Sequence, residues 1–332
     1  MFEFQLTRRR LIQTLGGVGI AAAMPQGCDW ADAGGASLKF LAVGDWGRHG
    51  QHHQQEVADR MGESAALLGA RFIISVGDNF YENGITGVDD PAWKSSFEDI
   101  YTAPSLQVPW YVALGNHDYR GNTQAQIDYS AISRRWRLPA RWHSFSAHGP
   151  DGALVEIFVV DTAPMIRAYY ANGAQLVKVG DQEGNVRLQL AWLDAELAAS
   201  KADWKIVVGH HPIYWGRGRR RFRTPPADRR LLVVAGRPDL IAQLDPILQR
   251  HRVPLYINGH IHDLQHVHLG ATHYVCTGAG SKMDPTCNMG GSDFCSLHSG
   301  FIACSVNRAR LRVAYRDYLG TELHVVDIAR PA

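Results

Sequence analysis

From Leu38 onward the chain alternates two rhythms of apolar and polar residues. Short runs rich in Val, Ile and Leu read as buried strands. The stretches between them repeat apolar residues every three or four positions, the spacing of a helix face. LKFLAVGD (38–45) is followed by a helical pattern from His52 to Leu68 with Val57, Met61, Ala65 and Leu68 on one face. RFIISVGD (71–78) leads to a short helix from Trp93 to Ile100, and VPWYVALGNHD (108–118) to a helix from Thr123 to Trp136. ALVEIFVVD (153–161) is a further strand, and residues 163–186, mixed and polar without a period, read as an exposed loop. A helix from Arg187 to Ser200 precedes WKIVVGHHP (204–212), and one from Pro238 to His251 precedes VPLYINGHIH (253–262). From His266 the chain is strand-rich. Alternating units followed by antiparallel strands predict an α/β fold, two mixed sheets packed face to face with helices outside. The expected layout is one domain over residues 38–330.

Five predicted strands end abruptly in metal-binding side chains: Asp45, Asp78 with Tyr81, Asn116 with His117, His210 with His211, and His260 with His262. One such ending is commonplace, because Gly-Asp is an ordinary turn and a lone histidine there is more often a hydrogen-bonded structural residue. Five in succession supply two carboxylates, a phenol, an amide and three or four imidazoles at strand ends, where open α/β sheets form their crevices. That set suffices for two metal ions side by side. Carboxylate and phenolate oxygen suit a hard ion such as Fe(III), whereas imidazole nitrogen and amide oxygen suit Zn(II) or Fe(II). Asp78 is the natural bridge, since one carboxylate can span ions ~3.5–4 Å apart. Tyr81 lies three residues beyond it, within one turn of the same ion. His260 and His262 are expected on one side of a strand by its two-residue period, each reaching one ion.

The set GDWG, GDNFY, GNHD, VVGH and GHIH resembles that of the purple acid phosphatases, in the calcineurin-like metallophosphoesterase superfamily, and within them the small mammalian-type tartrate-resistant form. The likeness extends between motifs, through SFEDIY, AQIDYSAISRRW and YVCTGAGSKMDP. It implies a four-layer α/β/β/α sandwich. It also implies that Asp45, Asp78, Tyr81 and His262 bind Fe(III), while Asp78, Asn116, His210 and His260 bind a divalent ion, Fe(II), Zn(II) or Mn(II). His117 would orient phosphate or protonate the leaving group. The reaction implied is hydrolysis of phosphomonoesters at acid pH by attack of an Fe(III)-activated hydroxide on phosphorus. Many relatives outside this branch carry D-x-H in the first motif. Here Trp46-Gly47 follows Asp45, and Tyr81 supplies the replacement ligand. A phosphodiesterase or nucleotide pyrophosphatase on the same residues is the alternative, and an iron-binding redox protein without hydrolysis is a third reading.

His211, beside a ligand, either assists substrate binding as a catalytic residue or packs the loop. The segment GRGRRRFR (216–223) is either a solvated loop or an arginine rim, with Arg219 and Arg221 gripping phosphate bidentately. His49, His52 and His53 read as a solvated helix start. Trp110, Trp136, Trp142, Trp192 and Trp204 read as core. The 163–186 loop lacks the cysteine that the mammalian pattern carries.

Charge narrows the partners. Thirty-four basic and 32 acidic residues leave a net +2, too balanced for nucleic acid or an anionic membrane as the main partner. No apolar run approaches the ~18 residues of a membrane span. The resemblance implies a small phosphomonoester or a phosphoprotein as substrate, and a monomer is the expected state. Thr7-Arg8-Arg9-Arg10-Leu11-Ile12 matches a twin-arginine export signal, with a Sec signal as the alternative and A-x-A cleavage at Ala31-Asp32-Ala33. The signal is expected over residues 1–33, making the protein exported, periplasmic or secreted. Cys28 is a less favoured lipid-anchor site. Beyond it, Cys287 and Cys295 flank a Gly-rich loop and are the expected disulfide, while Cys276 and Cys304 stay open between a second bridge and buried thiols.

Overall fold

In the computed structural model, which describes residues 37–171, 182–216, 234–284, 287 and 291–330, strand and helix alternate through the first half of the chain. Strands β1 (Leu38–Val43), β2 (Ile73–Ser75), β3 (Trp110–Val112) and β4 (Trp136–Arg137) enclose helices α1 (Gln54–Leu68) and α2 (Thr123–Asp128). Then come β5 (His143–His148), β6 (Leu154–Val159), α3 (Gln182–Ala199), β7 (Trp204–Val208), β8 (Tyr214–Gly216) and β9 (Val234–Gly236). Two short helices, α4 (Pro238–Gln243) and α5 (Asp245–Arg250), precede β10 (Leu255–Asn258), β11 (Leu264–Leu269) and β12 (Thr272–Thr277). The chain closes with β13 (Phe294–Ser296), β14 (Gly300–Val306), β15 (Arg310–Asp317) and β16 (Glu322–Ala329).

The strands form two mixed seven-stranded sheets, ordered β16-β15-β14-β1-β2-β3-β4 and β13-β11-β12-β10-β7-β6-β5, beside a small β8–β9 pair. β1 to β4 run parallel, as do β6, β7, β10 and β12; the late strands join antiparallel. The facing surfaces share one core: Phe40, Ile74, Ile302 and Val313 of the first sheet meet Ile157, Ile206 and Ile257 of the second. Each such side chain, fully buried, contributes about 1.5–3 kcal/mol. On the outer face of the second sheet, Leu193 and Leu197 of α3 and Leu240 and Leu248 of α4 and α5 cover Phe158, Val207 and Tyr256. α1 buries Val57, Met61, Ala65 and Leu68, as its pattern predicts, and stops at Gly69, whose left-handed backbone lets its N–H bond back to the Ala65 carbonyl. These layers are the α/β sandwich expected.

Several boundaries differ from expectation. The stretch Thr123–Trp136 is helical only to Asp128, followed by a tight turn at Tyr129–Ala131, because Trp136 is drawn into β4 and an aromatic cluster with Trp46, Trp93 and Phe97. Pro238–His251 is broken at Leu244 into two helices; Pro246 has no N–H to continue the first. Residues 93–98 form one wide helical turn rather than a helix to Ile100. The start of the 163–186 segment is buried, not exposed: Ala163, Met165 and Ile166 pack inward, Arg167–Tyr169 makes a single turn, and α3 begins at Gln182. Trp110, Trp136 and Trp204 are core, whereas Trp142 and Trp192 are half-buried. Cys287 and Cys295 form the disulfide, with Cα atoms 5.8 Å apart, and Cys276 and Cys304 are buried free thiols. Among the described residues no helix is long and apolar enough to cross a membrane. The expected leader, with Cys28, lies outside the described residues.

Candidate metal centre

The parallel strands β1, β2 and β3 of one sheet and β7 and β10 of the other end at one rim of the sandwich, and the five motifs follow them directly. Register brings them together. Asp45 N bonds to the Gly77 carbonyl, Gly259 N to the His210 carbonyl, and His260 N donates to Asp45 Oδ2 at 2.9 Å. The glycine before a ligand makes room for another motif's ligand. A Cβ on Gly115 would stand 2.2 Å from Asp78 Oδ1, and one on Gly259 2.3 Å from Asp45 Oδ2. Asp45, Asp78 and His260 adopt left-handed backbone, with φ of 60°, 49° and 70°. That region is uncommon for non-glycine residues; His49, His52, His53 and Arg252 adopt it as well.

Two groups of donors result. In the first, Tyr81 Oη lies 2.9 Å from Asp45 Oδ1, 3.1 Å from Asp78 Oδ2 and 3.0 Å from His262 Nε2. In the second, His210 Nε2 lies 3.3 Å from Asn116 Oδ1 and 3.3 Å from Asp78 Oδ2. Asp78 Oδ2 faces both groups. The His260 ring lies 5.2 Å from that of His210, centroid to centroid. The His210–His211–His260 and Asp45–Asp78–His210 ligand atoms each fall within 4.8 Å of one another.

These residues fit metal ions. A phenol carries one hydrogen, yet Tyr81 Oη faces two carboxylate oxygens as well as the His262 ring nitrogen, and those carboxylates are 0% and 1% exposed. Buried negative charge of this density calls for a cation. Donors bound at ~2.1 Å to one ion stand roughly 3.0–3.4 Å apart in octahedral or tetrahedral geometry, as these do. The histidines are also set for ligation. His210 Nδ1 donates to the Val76 carbonyl at 2.9 Å, which turns Nε2 toward Asp78 and Asn116.

Electrostatics agree. Burial raises the Asp78 carboxyl, but His210, His117 and His260 outweigh it and hold the group well below the carboxylate range. Burial lowers His210, yet Asp78 lifts it to about 9. The Tyr81 phenol is pushed far up by burial and then by Asp45 and Asp78, against the pull of Arg48. His260 and His211 are driven well below the usual imidazole value, chiefly by burial.

His117 and His211 differ in what they can reach. His117 Nδ1 donates to the Glu82 carbonyl at 2.6 Å, and its N–H donates to Asp78 Oδ1 at 2.7 Å. Its Nε2, 4.0 Å from Asp78 Oδ2, is left for another partner. His211 is fully buried, with Nδ1 2.9 Å from Thr162 Oγ1 and Nε2 2.9 Å from Tyr169 Oη. Both ring nitrogens are engaged, and its ring packs 4.4 Å from that of His260. The spacing argument for His260 and His262 needs correction: β10 ends at Asn258, so both leave from a turn, not from alternate positions of a strand. His49, His52 and His53 are exposed, as expected of a helix start. Arg219 and Arg221 lie outside the described residues.

Four residues near the centre were not singled out by the sequence. Asp118 accepts from Gly115 N, Asn79 N and Gln126 Nε2 at 2.8–3.1 Å, and burial with Asp78 nearby raises it to about 7. Its only signal was adjacency to His117. Arg237 Nη2 lies 3.1 Å from His260 Nε2, and nothing local in VVAGRPDL marks it. Arg48 stacks on Tyr81, and Asp284 Oδ2 lies 3.4 Å from His262 Nδ1.

The chain is similar to known proteins over most of its length. The calcineurin-like phosphoesterase family profile matches residues 38–264. Purple acid phosphatase 4 of Arabidopsis thaliana is 36% identical over 308 residues, covering 89% of this chain and 84% of its own. Human tartrate-resistant acid phosphatase type 5 is 35% identical over 266 residues, 77% of each chain. Among solved structures, GAP50, the anchor in the inner membrane complex of Plasmodium, shares the fold with a TM-score of 0.74 at 24% identity, over 90% of both chains.

Proposed function

The chain belongs to the calcineurin-like phosphoesterases, among the purple acid phosphatases, and is a phosphomonoester hydrolase; from that premise we propose that it is an exported acid phosphatase with an Fe(III)–M(II) centre. The observation that carries the metal assignment is Tyr81 Oη set among Asp45, Asp78 and His262 within 3.1 Å. Asp45, Tyr81 and His262 would hold the ferric ion, Asn116, His210 and His260 the divalent ion, Fe(II), Zn(II) or Mn(II), and Asp78 both. When bound, the pair supplies the Lewis acidity that activates water and offsets the charge of the phosphoryl group.

The protein's own part is orientation and proton transfer. Val76 fixes the His210 tautomer, and the Gly115 and Gly259 backbones seat the two carboxylates. His117 is the candidate acid for the leaving group: its Nδ1–H is committed to Glu82, so Nε2 carries the exchangeable proton at the crevice. His211, held between Thr162 and Tyr169, packs His260 and presents the Tyr169 hydroxyl. One domain over residues 38–330 accounts for the core shared by both sheets. Export rests on the Thr7–Ile12 pattern and delivers the protein to the periplasm or beyond.

The test is the visible spectrum of the purified protein with its metal content and its rates on p-nitrophenyl phosphate and bis(p-nitrophenyl) phosphate. The expected result is a tyrosinate-to-iron band and a preference for the monoester. An active, iron-free, colourless protein would remove the Fe(III) assignment, and a preference for the diester would replace the substrate class.

A further inference from the structure

We propose that Arg48 is a positioning residue that sets the electron-donating strength of the Tyr81 ring, and through it the colour and redox poise of the iron that Tyr81 would hold. The inference rests on the Fe(III)–Tyr81 reading above and concerns a residue that supplies no ligand.

The chain brings the two side chains together by joining the first and second motifs. Tyr81 N donates to the Gly47 carbonyl at 2.9 Å, and a Cβ on Gly47 would stand 1.9 Å from the Asn79 carbonyl oxygen, so the loops lie flush. Arg48 leaves this joint with its own N–H bonded to Gln54 Oε1 at 2.9 Å. Its guanidinium carbon comes to 3.5 Å from the centroid of the Tyr81 ring, well inside the reach of a cation–π contact. Nη1 bonds Glu82 Oε1 at 2.5 Å, and Nε is buried with no hydrogen-bond partner. The arginine side chain is 9% exposed and that of Glu82 62%, so a desolvated cation lies on the ring while its counter-charge sits in water.

A cation against an electron-rich phenolate stabilises its filled π orbitals. In a tyrosinate-to-iron transition those orbitals are the donor, and the guanidinium touches the ring rather than the phenol oxygen that meets the ion. With Arg48 in place the donor is lowered more than the acceptor, so the band moves to higher energy and Fe(III) is easier to reduce. Glu82 partly cancels this field. The two side chains therefore act in opposite directions, which a merely structural pin would not do.

The experiment compares wild type, R48M and E82Q, each loaded with iron, by visible absorption and by reductive titration with dithionite. Expected are a shift of the R48M band to the red by roughly 10 nm or more, the scale of such a contact, and a ferric state that persists at potentials where wild type is reduced. E82Q is expected to shift the band to the blue and to be reduced more readily. Variants that load iron with bands and potentials equal to wild type overturn the proposal, as does a shift of the same sign in both. Should R48M not take up iron, the sign of the E82Q shift alone decides. A wild-type protein with no iron band instead overturns the Fe(III)–Tyr81 reading itself.

Discussion

Asp78 carries two demands that no neighbour can share. One of its oxygens faces Tyr81 Oη at 3.1 Å and His210 Nε2 at 3.3 Å, and the other accepts the His117 N–H at 2.7 Å. Asn at this position keeps the size but gives up the charge and one acceptor. Asp78→Asn is expected to leave less than a tenth of the metal bound and to cut activity more than ~100-fold, since losing even an outer partner of a ligand costs 10–100-fold. Metal analysis of the purified variant checks this, and wild-type loading with an unchanged rate would show that the centre lies elsewhere.

At the scale of elements, the strand ends were legible because each combines an apolar run with a glycine and a candidate ligand, a local signal that survives without tertiary context. Helix ends were less so. Trp136 looks helical by spacing, yet it pairs with Trp110 across β3 and β4, and that partner is 26 residues away in the chain. The spacing argument for His260 and His262 fails because a period of two presumes a strand, whereas β10 ends at Asn258 and the backbone turns at Gly259. That turn gives an element-scale prediction. In Gly259→Ala the new Cβ would meet Asp45 Oδ2 at 2.3 Å and Val76 Cγ2 at 3.0 Å. Overpacking of this kind costs about 1–3 kcal/mol, so the melting temperature should fall by several degrees while metal content falls further, because Asp45 must move to relieve the clash. An alanine variant with wild-type metal content and melting temperature would show that β10 and its turn have slack. Arg237, Arg48 and Asp118 were illegible for a different reason: the partners that tie them to the centre, His260, Tyr81 and Asn79, come from segments remote in sequence, and no local period encodes them.

At the scale of the whole molecule, the two sheets are joined at one edge by histidines. His266 of β11 lies 2.9 Å from His273 Nδ1 through its Nε2, and its ring lies 5.7 Å from that of His324 on the opposite sheet. His268, Asp293, Phe294 and Tyr315 complete the surroundings. His266 Nδ1 and His324 Nε2 are buried with no hydrogen-bond partner, so a proton arriving at either finds nothing to receive it. Burial first, then His324 and His268, lowers His266 to about 4, and burial with His268 and His266 lowers His273 to about 3. An unfolded histidine titrates near 6.5, so between pH 6.5 and 4 the unfolded chain binds more protons than the folded one. Stability from His266 is therefore full above pH 6.5, falls as pH falls toward 4, and levels off below it; the loss is about 3 kcal/mol. Buried Asp161, raised to about 7, acts in the opposite sense, since its folded form takes up the proton first and gains stability as pH falls from 7 toward 4. Replacing only the histidine separates the two. His266→Phe is expected to be less stable than wild type or equal to it at pH 7, and to gain on it by about 3 kcal/mol at pH 4. Denaturant unfolding of both proteins at the two pH values measures this, and parallel pH curves would show that the seam does not limit the acid stability of an enzyme whose reaction belongs to acid pH.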